Sequence, residues 1–434
     1  MTIKAERFCI VDAFSTGAML APEFKKYGCE CVHLQSKISI SSDFSSTYNP
    51  RSFRDHLIYD GTKESLNKLM EYFQLFPVKA FIPGTESGVS FADELNSIFN
   101  LQGNSQQTLS LRRNKYLMQE ALRKAGLNSI QQAKINNVEQ ALKWTKKHGV
   151  WPVVIKPLDS AGSDSVTFCF SHCDVQKACK LLLGNINKMG IVNNEILIQE
   201  RLFGNQYFMN GVSVNGQHRF IEIWREDKLE VEGASLICDR EELLPYHGKI
   251  QKELKSYNEK VLNALGIREG AHHNELIYTS RGPVLIESAA RMQGAMLHEA
   301  VISAIQNSHV TSTVKSYLTP DYFLKSFSGG YTIEKNLFCV SLISKTKGIV
   351  HKNNCLKYFR ELTSFYAMFH TPQEGEQIDV TIDLFTNPGI IYLLHTDKKQ
   401  IELDYQQIRI WEKENKLFDY VCDNQGQDAG EKII

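Results

Sequence analysis

Residues 7–34 place the tightest constraint on what this chain can fold into. RFCIVD reads as an apolar strand; a Ser-Thr-Gly turn and an amphipathic run to Tyr27 follow, Gly28 ends that run, and Cys29–Leu34 reads as a second strand. Strand, helix and strand joined this closely argue for a crossover and a parallel pair. VKAFIPG reopens the pattern and leads through Thr85-Glu86-Ser87-Gly88 into the helical run VSFADELNSIF. Such alternation argues for a layered α/β architecture, with ligands expected at the strand-to-helix turns.

Further on, LSLRRNKYLMQEALRKAG predicts one helix with a basic start and a stop at Gly126. A second helix, VEQALKWTKKHG, leads into WPVVIKPLDSAGSDSVTFCF. That stretch reads as a strand carrying Lys156, a loop with Ala161, Gly162 and serines, and another strand. A glycine/serine turn leaves backbone N–H groups free to close over phosphates, with a lysine nearby as a point charge. An ordinary hairpin loop is the competing reading, and the pattern is neither a Walker A loop nor G-x-G-x-x-G. The strand ILIQ then ends in Glu200-Arg201-Leu202, and another strand begins after Gly204.

A long helix, KELKSYNEKVLNALG, precedes a strand around Asn274–Tyr278, the turn Thr279-Ser280-Arg281-Gly282, and the strand PVLIE, expected to end at Glu287. Glu275 and Glu287 thus lie on two strands of one hairpin, where they can stand side by side. Adjacent carboxylates repel unless something cationic lies between them. Hard oxygen ligands suit Mg2+, commonly held by one or two carboxylates plus substrate phosphates. Arg291 adds a planar fork for an anion. Two surface acids flanking a hairpin is the bland alternative.

Composition excludes several classes. The 434 residues suggest two or three domains. Lys+Arg and Asp+Glu are both 49, so no global basicity advertises nucleic acid. No apolar stretch approaches the roughly 18 residues of a membrane span, and the N-terminus has no h-region, so a cytoplasmic protein is expected. Ten cysteines without a C-x-x-C pair read as reduced thiols. His272 and His273 are adjacent and cannot both face one metal.

Lys156 with its small flexible loop, a strand ending in Gln199-Glu200, and then Glu275, Glu287 and Arg291 together resemble the ATP-grasp fold. PGTESGVSFADEL, LRRNKYLMQEAL, VIKPLDSAGSDSVTFC and GPVLIESAARMQG resemble the L-amino-acid ligase branch of that superfamily, as does TIDLFTNPGIIYLLHTDKKQIELDYQQIRIWEKENKLF. The resemblance implies an N-terminal Rossmann-like α/β domain over 1–111, ATP-grasp subdomains over 112–198 and 199–330, and a C-terminal α+β domain over 331–434. It implies that ATP lies between the two subdomains, with Lys115 and Lys156 on the phosphates. Ser160, Ala161, Gly162, Ser163 and Ser165 would close over them. Gln199, Glu200, Arg201 and Leu202 would form the adenine hinge, with Gln206 at the ribose. Glu275 and Glu287 would hold Mg2+, and Arg291 would steady an acyl phosphate.

The implied reaction joins a carboxylate and an amine, amino acids or their relatives, giving ADP, phosphate and an amide. A homodimer is the family expectation. Glu86, Trp224, His247 and Gly294 are candidates for the substrate side. A helix-dipole acid, a core tryptophan and a surface histidine are the alternatives for the first three. Three positions depart from the family pattern: Ala289 replaces the asparagine of Glu-x-Asn, Gln206 a glutamate, and Asn210 an aspartate. A bicarbonate-activating carboxylase and a nucleotide-binding regulator without turnover are the other readings. The first lacks a biotin-carrier Met-Lys-Met stretch.

Overall fold

The computed structural model describes residues 5–37, 46–158, 166–186, 192–230, 236–383 and 386–421. The chain divides into two compact units, Met1–Arg225 with Leu243–Glu334, and Glu226–Glu242 with Lys335–Ile434.

In the first unit, β1 (Arg7–Val11), β2 (Glu30–Gln35), β3 (Asp55–Ile58) and β4 (Phe81–Pro83) form a parallel sheet in the order β3-β2-β1-β4. The chain reverses its direction of winding at β1, so the crevice beyond the ends of β1 and β4 is the natural ligand side. The turns after these strands touch closely there. A Cβ on Gly17 would lie 2.4 Å from the carbonyl oxygen of Gly84.

The stretch 109–126, expected to form one helix ending at Gly126, holds two, Leu109–Arg113 and Lys115–Lys124. Asn114 breaks it, because its side chain accepts from the N–H groups of Tyr116 and Leu117 and caps the second helix. Lys115 therefore opens the second helix, a lysine at a helix start as expected. Gln119, buried in the same helix, donates to the carbonyl of Leu285 at 2.8 Å and accepts from the N–H of Ile130.

The second sheet holds β5 (Gln132–Ile135), β6 (Val153–Pro157), β7 (Thr167–Cys169) and β8 (Ile196–Glu200), antiparallel in the order β5-β8-β6-β7. Val153, Ile155, Ile196 and Ile198 point to one face, covered by the helices Val138–His148 and His172–Leu182. Alternation sends Lys156, Val154, Leu197 and Gln199 to the other face.

Next come β9 (Asn205–Val214), β10 (Gln217–Leu229), β11 (Ile237–Leu243), β12 (Gly270–Thr279) and β13 (Gly282–Ala289). In the first unit the order is β13-β12-β9-β10. The helix Lys249–Leu265 packs Leu254, Val261 and Leu262 against Tyr207, Met209, Leu276 and Leu285. The acids of β12 and β13 lie on the opposite face.

The second unit orders β11 with β14 (Asn336–Ser341), β18 (Ile390–His395) and β16 (Phe365–His370). It adds a small sheet of β17 (Gln377–Ile378), β15 (Gly348–Asn353) and β19 (Phe418–Val421). The helix Lys398–Lys413 buries Ile401, Ile408 and Trp411 in this unit's core. The nine described cysteines are unpaired. Among the described residues no helix is long and apolar enough to cross a membrane.

Candidate active site

Pairing along the β12–β13 hairpin runs Thr279 to Gly282, Tyr278 to Pro283, Ile277 to Val284 and Leu276 to Leu285, then shifts by one residue. Without the shift Glu275 would face Ile286. The extra residue sets Glu275 directly opposite Glu287, so both carboxylates rise from one face. Bulges commonly re-aim side chains in this way beside functional sites. The strand also continues two residues beyond Glu287, to Ala289, because Ser288 and Ala289 keep pairing with Asn274 and His273.

Two lysines arrive from separate elements. Lys115 Nζ lies 3.0 Å from Glu287 Oε1. Lys156 comes from the face of β6 turned away from the covering helices and is buried, with 7% exposure. Burial is the main cause that pushes its ammonium down to about 8, helped by the charge of Lys115 and opposed by Glu287 and Glu275. A desolvated ammonium facing carboxylates is poised for a ligand that brings more negative charge.

Arg291 follows β13, and its Nε lies 2.9 Å from Glu86 Oε2. Glu86 also pairs with Arg113. Burial pushes the Glu86 carboxyl up, yet Arg291, then Arg113 and Lys115, outweigh it and hold the group below the usual carboxylate range. Glu86 is therefore a bridge between two guanidinium groups. The segment after Arg291 is tied to the turn after β1: Ala295 N–H donates to Ser15 Oγ at 3.0 Å and Met296 N–H to Thr16 Oγ1 at 3.3 Å. Gly294 sits in this tether.

The residues at and after the end of β8 are placed as follows. Gln199 is buried and donates to Gln132 Oε1 at 2.9 Å. Glu200 Oε1 accepts from Gln131 N–H and from Arg281 Nη2 at 2.7 Å. Arg201 lies over the rings of Phe168 and Phe203, 4.4 and 5.2 Å from their centroids. Leu202 is half-buried. Gln206 Nε2 reaches Glu275 Oε2 at 3.5 Å. The loop holding Ser160, Ala161, Gly162, Ser163 and Ser165 lies outside the described residues. Trp224 is fully buried, stacked on Phe208 with its indole N–H on Glu222. His247 is exposed, edge-on to Tyr246.

Sequence reasoning missed a buried polar chain behind the acids. Asn210 Nδ2 donates to Glu222 Oε2 and Gln293 Oε1, both at 2.8 Å. Its Oδ1 then accepts from His273 Nδ1 at 2.7 Å, and His273 Nε2 sits 3.5 Å from Glu275 Oε1. An aspartate at 210 could not donate to Glu222, so the asparagine fits its surroundings. Burial pushes the Glu222 carboxyl up despite its hydrogen bonds. His273 faces the acids and His272 the other side, as neighbours on a strand must.

Among the described residues no three acid, histidine or cysteine side chains converge as a ready-made metal site. The opposed pair Glu275 and Glu287 does fit an oxygen-seeking cation that takes its remaining ligands from phosphates and water. Lys115 already brings positive charge to Glu287.

Known proteins resemble this chain over most of its length. Residues 150–299 match the ATP-grasp domain. Dapdiamide A synthase of Enterobacter agglomerans is 31% identical over 416 residues, 93% of this chain and 95% of that protein. The L-amino acid ligase of Bacillus licheniformis superimposes with a TM-score of 0.76 at 15% identity, covering 98% of this chain and 100% of that one. An N5-carboxyaminoimidazole synthetase of Staphylococcus aureus reaches 0.66 at 16% identity, over 93% and 97%. The chain belongs to the ATP-grasp family. It is a ligase of that family, with the ATP-grasp fold, and ATP-grasp enzymes use ATP.

Proposed function

We propose that this ligase joins a carboxylate to an amine through an acyl phosphate, with amino acids or their close relatives as both substrates. One observation carries the reading: opposed Glu275 and Glu287, Lys115 on Glu287, and buried Lys156 meet on one side of the fold. The relative named for dapdiamide synthesis and the fold neighbour named for amino-acid ligation support amide formation.

In this reading a substrate carboxylate oxygen attacks the γ-phosphorus of ATP, the bond from that phosphorus to the β–γ bridging oxygen breaks, and ADP leaves. The amine nitrogen of the second substrate, having lost its extra proton, then attacks the acyl carbon. The carbon–oxygen bond to phosphate breaks, phosphate leaves, and a second proton departs from nitrogen as the amide forms. Lys115 and Lys156 hold the phosphates in line, since phosphoryl transfer is driven by positioning and charge neutralisation. Mg2+, held by Glu275 and Glu287, would add charge neutralisation at the same phosphates. Arg291, its fork fixed by Glu86, steadies the acyl phosphate.

We assign 1–111, 112–198, 199–330 and 331–434 as the N-terminal domain, the two ATP-grasp subdomains and the C-terminal domain, in a cytoplasmic homodimer. Gln199 to Leu202 and Gln206 are assigned to the nucleotide. The acyl-phosphate step has a direct test. An 18O-labelled carboxylate substrate must deliver one labelled oxygen to the released phosphate, and unlabelled phosphate would contradict it.

A further inference from the structure

A cleft of about 570 Å³ opens on the back of the acid-bearing sheet, between the helix Lys249–Leu265 and the β12–β13 turn. Because this helix packs on the apolar face of that sheet, the cleft lies away from Glu275 and Glu287. Lys249, Lys252, Ser256 and Lys260 line one wall, and their spacing of three, four and four residues puts them on one helical face. Arg281 lines the opposite wall.

The charge here is unbalanced. Glu253 is the one acid among the lining residues, and its carboxylate accepts the hydroxyl of Tyr278. Lys249, Lys252 and Lys260 have no ion-pair partner among the described residues, while neighbouring Lys255 donates to the carbonyl of Tyr246. A solvated helix face gains from alternating charges, whereas a stripe of like charges costs stability. A concave stripe of lysines facing an arginine suits an anion that reaches both walls. The volume falls in the range of small-molecule sites.

Arg281 has a second engagement. Its Nη2 lies 2.7 Å from Glu200 Oε1, at the end of β8, immediately before Arg201 and Leu202. An anion in the cleft would therefore compete with Glu200 for this guanidinium.

We propose that the cleft binds a small molecule carrying two phosphate groups, and that Arg281 is shared between this ligand and Glu200. The site is separate from the ligase chemistry, so its test does not depend on turnover. The probe is inorganic pyrophosphate without magnesium, titrated calorimetrically into the Lys156→Ala protein, a background chosen because the function proposed above makes Lys156 a phosphate contact. In that background Lys252→Ala with Lys260→Ala, both exposed positions, should weaken pyrophosphate binding by about tenfold or more. Glu200→Gln should instead tighten it, by about threefold, because Arg281 is released from its competitor. No binding, or equal affinity with and without the two lysines, would overturn the site. An unchanged affinity in Glu200→Gln would overturn the sharing of Arg281.

Discussion

Glu287 stands directly opposite Glu275 because one extra residue, a bulge, interrupts the pairing between them and the hairpin turn. The consequence is chemical: two acids share a face with Lys115 close to one of them. Glutamine keeps the shape of each acid and removes its charge. Glu275→Gln and Glu287→Gln should each lower kcat by about 100-fold or more, the usual cost of deleting a preorganised electrostatic group. Thermal unfolding should shift by only a few degrees. Retained turnover in either variant would remove that acid from the phosphate site.

Lys156 gives the nucleotide-free enzyme a pH signature. With its ammonium pushed down to about 8, the lysine is charged below that pH and neutral above it. ATP affinity should therefore fall as pH rises through about 8, by up to tenfold per unit. Lys156→Arg stays charged throughout and should flatten the profile. A wild-type affinity that is constant from pH 7 to 9 would contradict this role.

Glu86 joins two guanidinium groups, and its side chain is 19% exposed. Glu86→Gln leaves Arg113 and Arg291 facing each other without their shared anion. Chemical denaturation should show a loss of about 2 kcal/mol, less than for a fully buried pair. Arg113→Ala in the same protein should recover part of that loss. If the single variant is as stable as wild type, the bridge contributes nothing.

Buried histidines make the fold acid-sensitive. Burial is the main cause that pushes His33 and His309 down to about 3, and His272 well down. An unfolded chain takes up these protons as pH falls through 6.5, and the folded chain does not. Stability from this source is thus complete above 6.5 and is lost as pH drops. Each group removes about 1.4 kcal/mol per pH unit below 6.5. His33→Phe, placed among Phe14, Tyr48 and Phe53, should reduce the acid slope by that amount in urea titrations at pH 5.5 and 7.5. An unchanged slope would rule His33 out.

Local pattern carried much of this site in the sequence. The apolar runs around Ile10, Ile155 and Leu285 are strands, and the fold expected from Lys156, Glu275, Glu287 and Arg291 is the one found. What stayed hidden was non-local or fine-grained. The helix break at Asn114 turned on a side-chain cap within a strongly helical stretch. The bulge before Glu287 is a one-residue register shift that alternation alone does not reveal. Arg113, His273 and Glu222 gained meaning only when Glu86, Glu275 and Asn210 came within reach.

Amide formation driven by ATP is tested by phosphate release from ATP and Mg2+ across all pairs of the twenty amino acids. Active wells would then be analysed by mass spectrometry. The expected result is phosphate release in specific pairs, with a product at the summed mass less one water, abolished by Glu287→Gln. Phosphate release without any condensed product, or silence in every well while ATP still binds, would contradict amino-acid ligation.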